Sequence, residues 1–227
     1  WHWAFKTKDG CEFVDASVES EYFHNYLNIP LCAWAAVGDI PSNINLNPAL
    51  RIKLQDIPLL NAPSWLGIDR ALAAWGALNK AKHSSSMHSQ GLLIADAGTI
   101  LSLTRIAANG KFLGGQLVPG LKLQLTAMAQ GAKNLQYPSL DSIPIEQFPM
   151  STEKSMIKGS LQALIGTIIE AQTYTKVPIW LCGGDATLLL KALKARNIDV
   201  IHQPNLVLEG MCNIHYFLQA KPKSLST

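Results

Sequence analysis

The sequence predicts an α/β protein made of two related domains, and three features predict it. Continuous apolar runs at 31–37, 92–95 and 177–182 have the length and composition of strands covered on both faces. Residues 69–82 carry Ala71, Leu72, Trp75 and Leu78 at the 3, 4, 7 spacing of one buried helical face, and 155–175 is long enough for a second major helix. Each half contains a hairpin, helices and one buried strand. The polar stretch 83–90 therefore reads as the boundary, giving domains 1–88 and 89–227. A chain of 227 residues accommodates two compact units of roughly 100 residues each.

The elements follow in order. Residues 1–5 and 11–14 read as two strands around a turn signalled by Asp9-Gly10. A short helix is expected over 19–27. The stretch 41–63, with Pro41, Pro48, Pro58 and Pro63, reads as a loop-rich connection into the helix at 69–82. In the second half, strands are expected at 92–95, 99–107 and 111–118. The turn Ala108-Asn109-Gly110 separates the last two, and Pro119-Gly120 ends the third. Helices are expected at 121–130 and 155–175. The strand at 177–182 runs into Gly183-Gly184-Asp185 and then a helix to about 196.

Composition narrows the function. Apolar residues make up 48% and charged residues 15%, which suits a packed core and argues against disorder. The net charge is only +3 and no Lys/Arg run occurs, so nucleic acid is not expected as a partner. No apolar run reaches 18 residues, so no membrane span is expected, and no signal peptide is visible. Cys11, Cys32, Cys182 and Cys212 form no C-x-x-C pair and sit among apolar neighbours, as buried reduced thiols of a cytoplasmic protein would. His83 and His88 fit no common metal spacing. The chain opens inside a strand-like run, Trp1-His2-Trp3, with no initiator Met, and further residues are expected upstream.

Five short motifs carry chemistry. In Asp96-Ala97-Gly98-Thr99, a central strand would present Asp96 at its carboxyl end, where ligand crevices form in α/β sheets. Gly98 would supply a positive φ and close amide approach to an oxyanion. Thr99 would supply a hydroxyl, and Asp96 would hold a cation. A hairpin turn whose carboxylate caps its own backbone explains the spacing equally well. In Gly67-Ile68-Asp69-Arg70, Asp69 is either an ordinary helix N-cap or a proton acceptor beside an arginine that grips a carboxylate. Gly183-Gly184-Asp185 is either a tight turn with Asp185 as a cap or an anion seat at a helix N-terminus. Gly114-Gly115 suggests a bulge or a close backbone approach. Ser151-Thr152 opens the long helix, and a cap accounts for it.

Taken in order, Gly67–Arg70, Asp96–Thr99, Gly114–Gly120, Ser151-Thr152, Gly183–Ala186 and the closing Leu206-Val207-Leu208-Glu209-Gly210 resemble the type III pantothenate kinases over residues 30–212. The resemblance implies two ribonuclease-H-like domains with mixed sheets, the fold of the acetate and sugar kinase, heat-shock chaperone and actin superfamily. It implies ATP-dependent phosphorylation of the primary hydroxyl of pantothenate, the first step of coenzyme A biosynthesis. It also implies the roles. Asp69 would accept the hydroxyl proton. Gly67, Ile68, Asp69, Arg70 and Thr152 would surround pantothenate. Gly98, Thr99, Gly183 and Gly184 would contact ATP. Asp96 would hold a monovalent cation, potassium or ammonium, with magnesium arriving alongside the nucleotide, and the protein would be a homodimer. Two departures stand out: the family's acidic, glycine-containing phosphate motif falls before Trp1, and Leu60 occupies a place where the family commonly has tyrosine. The alternatives are a catalytically impaired relative acting as a transcriptional accessory factor and a phosphatase of the same superfamily.

Overall fold

In a computed structural model, residues 1–8, 10–17, 19–84 and 89–220 are described. The expected turn at Asp9 and the boundary at 85–88 fall outside those residues. The chain divides into two compact units. Unit 1 comprises 1–87, 108–112 and 205–227; unit 2 comprises 88–107 and 113–204. Unit 1 thus takes in 108–112 and the described residues from 205 onward, which the sequence reading set in 89–227.

Unit 1 begins with strands β1 (His2–Thr7) and β2 (Gly10–Asp15), an antiparallel hairpin in which Lys6 faces Cys11. Helix α1 (Glu21–Leu27) is capped by the Ser20 hydroxyl, which accepts from the Phe23 amide at 3.2 Å. Phe23 is fully buried against Trp3. The run 31–37 does not form the expected strand. Its only ladder contact is an isolated bridge from Trp34 to Arg51. An apolar sequence becomes a strand only when a neighbour meets its amides, and here 32–37 are half-buried or exposed.

Helix α2 (Ile68–His83) is buried around most of its circumference: Ala71–Ala74, Ala77, Leu78 and Ala81 are all inside. The expected single face is too narrow a description. Trp75 is only half-buried and meets the Phe217 ring edge-on at 5.8 Å. The small alanines let helix α6 (Leu206–Ala220) approach closely. A Cβ on Gly76 would lie 2.6 Å from the Leu206 carbonyl oxygen, and one on Gly210 would lie closer still to that of Leu72. Only a bare Cα fits at either side of this crossing. Lys80 pairs with Glu209 across it at 3.1 Å.

Unit 2 is built on a five-stranded mixed sheet with the order β5-β4-β3-β6-β7. Strand β3 (Leu92–Ala97) lies antiparallel to β4 (Ile100–Ile106) and parallel to β6 (Ile179–Cys182). Strand β7 (Val200–His202) runs parallel to β6, and β5 (Phe112–Pro119) forms the other edge. Gly114 takes φ +107 within β5, in keeping with the expected irregularity. Helix α3 (Leu121–Gly131) follows β5 directly, and α4 (Thr152–Thr175) carries the stripe Ile157, Leu161, Leu164, Ile165, Ile168 into the core. Helix α5 (Ala186–Lys194) sets Leu189 and Leu193 against the same core. Arg105 fastens the start of β3 to the end of β4 by donating to the carbonyls of Gln90, Leu92 and Ile106 at 2.6, 3.2 and 2.6 Å. Its partial burial lowers its pKa from the usual guanidinium value.

Candidate active site

The chemistry in unit 2 assembles from its strand register. Asp96 pairs with Ser102 on one side and with Cys182 on the other. Because β3 and β6 are parallel and end at the same height, the loops that leave them emerge side by side. Two motifs some 85 residues apart by number thus become neighbours. Gly183 passes so close to β3 that a Cβ there would lie within 2.4 Å of Asp96 Oδ1 and 2.5 Å of the Ala97 carbonyl oxygen. It adopts φ +91, which L side chains rarely take. Asp185 donates its backbone N–H to the same Ala97 carbonyl at 2.9 Å.

A third segment joins them. The Gly120 amide donates to the Thr99 carbonyl at 2.8 Å, and a Cβ on Gly120 would collide with the Gly98 carbonyl oxygen. Gly120 is the N-cap of α3, and Asp185 is the N-cap of α5. Neither cap makes a side-chain hydrogen bond, so the Asp185 carboxylate does not spend itself on its own helix. The 97–99 loop is therefore held against the starts of two helices, where backbone N–H groups and aligned peptide dipoles favour an anion. Asp96 is half-buried at the edge of this cluster. Gly98 does not supply the expected positive φ; that conformation belongs to Gly183. Gly98 instead closes the β3–β4 turn by donating to Ile100 O at 3.3 Å. Thr99 is exposed, and Gly184 has open space around it.

In unit 1 the residue that caps α2 is Gly67, with no side-chain bond, so Asp69 is not the N-cap. It lies in the first turn, where one carboxylate oxygen accepts the Arg70 amide at 2.8 Å. That oxygen sits where a Cβ on residue 67 would be, 2.5 Å away, so the glycine makes room for the carboxylate. Asp69 and Ile68 form part of the wall of a cavity of about 570 Å³, with Trp1, Trp34, Leu72 and Leu208. Its volume suits a small molecule and most of its wall is apolar. Arg70 is 8% exposed and is not part of that wall. Burial lowers its pKa, and the neighbouring Asp69 charge opposes that fall. Leu60 has an exposed side chain, and its backbone is fastened to Gly110 and Phe112 by hydrogen bonds of 3.0 and 2.8 Å.

Residues 43–173 match the family model for type III pantothenate kinases. The chain belongs to the type III pantothenate kinase family. The kinase of that name from Synechococcus elongatus is 30% identical over 98% of this chain and 95% of its own length. The one from Nostoc is 31% identical over 72% of this chain and 60% of its own, and the one from Janthinobacterium is 33% identical over 66% and 56%. Among solved structures, a conserved Baf family protein from Campylobacter jejuni superposes with a TM-score of 0.57 at 18% identity, covering 93% of this chain and 92% of that one. The activator of 2-hydroxyisocaproyl-CoA dehydratase from Clostridium difficile, solved with ADPNP, gives 0.50 at 12% identity, covering 96% and 91%. These likenesses show a shared fold, an α/β architecture built on a mixed sheet.

In this type III pantothenate kinase family member, the residues expected from the sequence to form the site split by unit. Gly67, Ile68, Asp69 and Arg70 are in unit 1; Asp96, Gly98, Thr99, Thr152, Gly183 and Gly184 are in unit 2. Thr152 is exposed in the first turn of α4, whose cap, Ser151, accepts from the Lys154 amide at 3.4 Å. Gly120 is the contributor to the cluster that its motif alone did not assign to a ligand. The proline-glycine stop before a helix was its visible signal.

The Gly183–Asp96 contact yields a direct prediction. Gly183→Ala should raise the KM for ATP about tenfold or more, roughly 1.4 kcal/mol of binding, while the chain stays folded by circular dichroism. Gly166→Ala on α4, where a methyl meets nothing within 4 Å, should change neither. An unchanged KM in the Gly183 variant would mean that nucleotide does not use this contact.

Proposed function

We propose that the chain phosphorylates the primary hydroxyl of pantothenate with ATP, in the cytoplasm, using Asp69 as proton acceptor and the Asp96–Gly120–Gly183 cluster as the phosphate seat. The observation that supports this most strongly is the convergence of the 97–99 loop with the starts of α3 and α5 beside a half-buried carboxylate. Three backbone segments meeting at two helix N-termini are suited to polyphosphate.

The residues also suit the ions that such a reaction uses. Asp96 Oδ1 and the Ala97 carbonyl are hard oxygen donors within one small space that Gly183 keeps free of a side chain. Hard oxygen donors of this kind can hold a cation, and potassium or ammonium is the one proposed. Among the described residues no group of three or more His, Cys, Asp or Glu is arranged to hold a metal. Magnesium is proposed to arrive with the nucleotide phosphates. When bound, these cations neutralise charge on the transferring phosphoryl group.

The protein's own work is binding, orientation and one proton. Asp69 sits at the positive end of α2, which favours its ionised form and weakens it as a base. Phosphoryl transfer tolerates a weak base, because the attacking hydroxyl loses its proton late and positioning dominates. Its bond to the Arg70 amide fixes the direction of the carboxylate. Gly67 and Ile68 shape the ground around it; Arg70, buried outside the cavity wall, would act on the pantothenate carboxylate through its charge and not by contact, and a hydroxyl contact from Thr152 rests on the family likeness alone. Gly98, Thr99 and Gly184 complete the nucleotide side. The apolar wall with Trp1, Trp34 and Leu72 suits the dimethyl portion of the substrate.

A coupled ADP-release assay with and without pantothenate tests the proposal. The account predicts pantothenate-dependent ADP release, and a kcat about 100-fold or more lower in Asp69→Asn with the KM for ATP nearly unchanged. Near-normal turnover in that variant would remove Asp69 from the role of base. We also place a second copy of the chain over Ile145, Phe148 and Met150, which are 93%, 86% and 102% exposed and lie just before Thr152. Sedimentation equilibrium should return twice the 24.7 kDa chain mass, and a monomer at micromolar concentration would refute the dimer.

A further inference from the structure

We propose that Cys11 and Cys212 are an oxidisable dithiol whose disulfide fastens the first hairpin to the last helix. The two sulfurs lie 3.8 Å apart although 201 positions separate the residues, and the Cys11 thiol donates to Cys212. The meeting is set by register and not by chance rotamers. Lys6 pairs with Cys11 across the β1–β2 hairpin, so their side chains share one face of it. Cys212 and Tyr216 are four residues apart on α6 and share one face of the helix. The Lys6 ammonium lies over the Tyr216 ring at 5.3 Å. Two adjacent strand positions thus meet two adjacent helix positions, one pair through cation–π attraction and the other through sulfur.

Both thiols are half-buried and border a cavity of about 440 Å³, wide enough for a small peroxide. Burial first, and Cys11 second, push the Cys212 thiol up to about 12, so it stays protonated at neutral pH. The proposal assigns the first attack to Cys11. Its thiolate attacks one oxygen of hydrogen peroxide, the O–O bond breaks, and the departing hydroxide takes a proton to become water. The Cys212 sulfur then attacks the Cys11 sulfenic acid. The S–S bond forms, the S–O bond breaks, and the hydroxyl leaves with the Cys212 proton as a second water. Each thiol gives up one electron and one proton, and the peroxide is reduced to two waters.

The consequence is mechanical. Helix α6 is the surface on which α2, the helix that carries Asp69, packs through the Gly76–Gly210 crossing. A link from β2 to α6 closes a loop of about 200 residues and restricts the unfolded chain strongly. Cys32 is exposed and borders the same cavity, so it is the competing partner.

The test uses the reduced full chain with one to five equivalents of hydrogen peroxide, followed by alkylation and peptide mass mapping without reductant. The proposal predicts a peptide pair joined through Cys11 and Cys212, two hydrogen masses lost, and a Tm about 5 °C or more higher that reverts with dithiothreitol. Cys32→Ser should retain the crosslink, and Cys11→Ser and Cys212→Ala should each abolish it. If one of these variants fails to fold, the wild-type peptide map alone decides. A crosslink through Cys32, a link between chains, or persistent alkylation of both Cys11 and Cys212 would overturn the proposal.

Discussion

A missing side chain at position 183 is the constraint on which the proposed site rests. Asp96 stands at the end of a central strand, half-buried between two hydrogen-bonded neighbours. The backbone of Gly183 closes over it at a distance that no other residue allows, with a φ that no other residue adopts cheaply. The sheet thereby turns a charged group into part of a walled pocket lined by backbone. Without that approach, the starts of α3 and α5 would not frame the same space as the carboxylate.

The same economy recurs in unit 1. Gly67 gives the Asp69 oxygen its place, and Gly76 with Gly210 brings α6 onto α2 at backbone contact. The helix that carries the proposed base is thus anchored by α6, through the glycine crossing and the Lys80–Glu209 pair. Chain ends that are far apart in sequence support one short stretch of chemistry. The proximity of Cys11 to Cys212 is a by-product of that arrangement, and oxidation would exploit it.

Much of this could be read from residues alone, and what could not has a common cause. The strand ending at Asp96, the helix after Gly67, the diglycine turn and the long helix after Ser151 were legible because local periodicity and turn chemistry specify them. The partnership of Asp96 with Gly183 was not, since it follows from β3 and β6 lying parallel and in register. The run 31–37 looked like a strand because an apolar pattern does not reveal whether a partner edge is available. The allegiance of α6 to unit 1 was hidden for a similar reason: Gly210 signals a close approach but not to what. The thiol pair left no trace in spacing. Its members look like ordinary apolar-neighbour cysteines until the hairpin register and the helix face are known.

The central claim of the proposed function is that Asp96 shares its pocket with a cation and a polyphosphate. Calorimetric titration of a non-hydrolysable ATP analogue into the protein, in potassium and then in a large organic cation at equal ionic strength, tests this most directly. The account predicts affinity at least tenfold higher in potassium for the native chain, with that difference largely lost in Asp96→Asn. Equal affinity in both salts, or a potassium effect that survives the substitution, would contradict it.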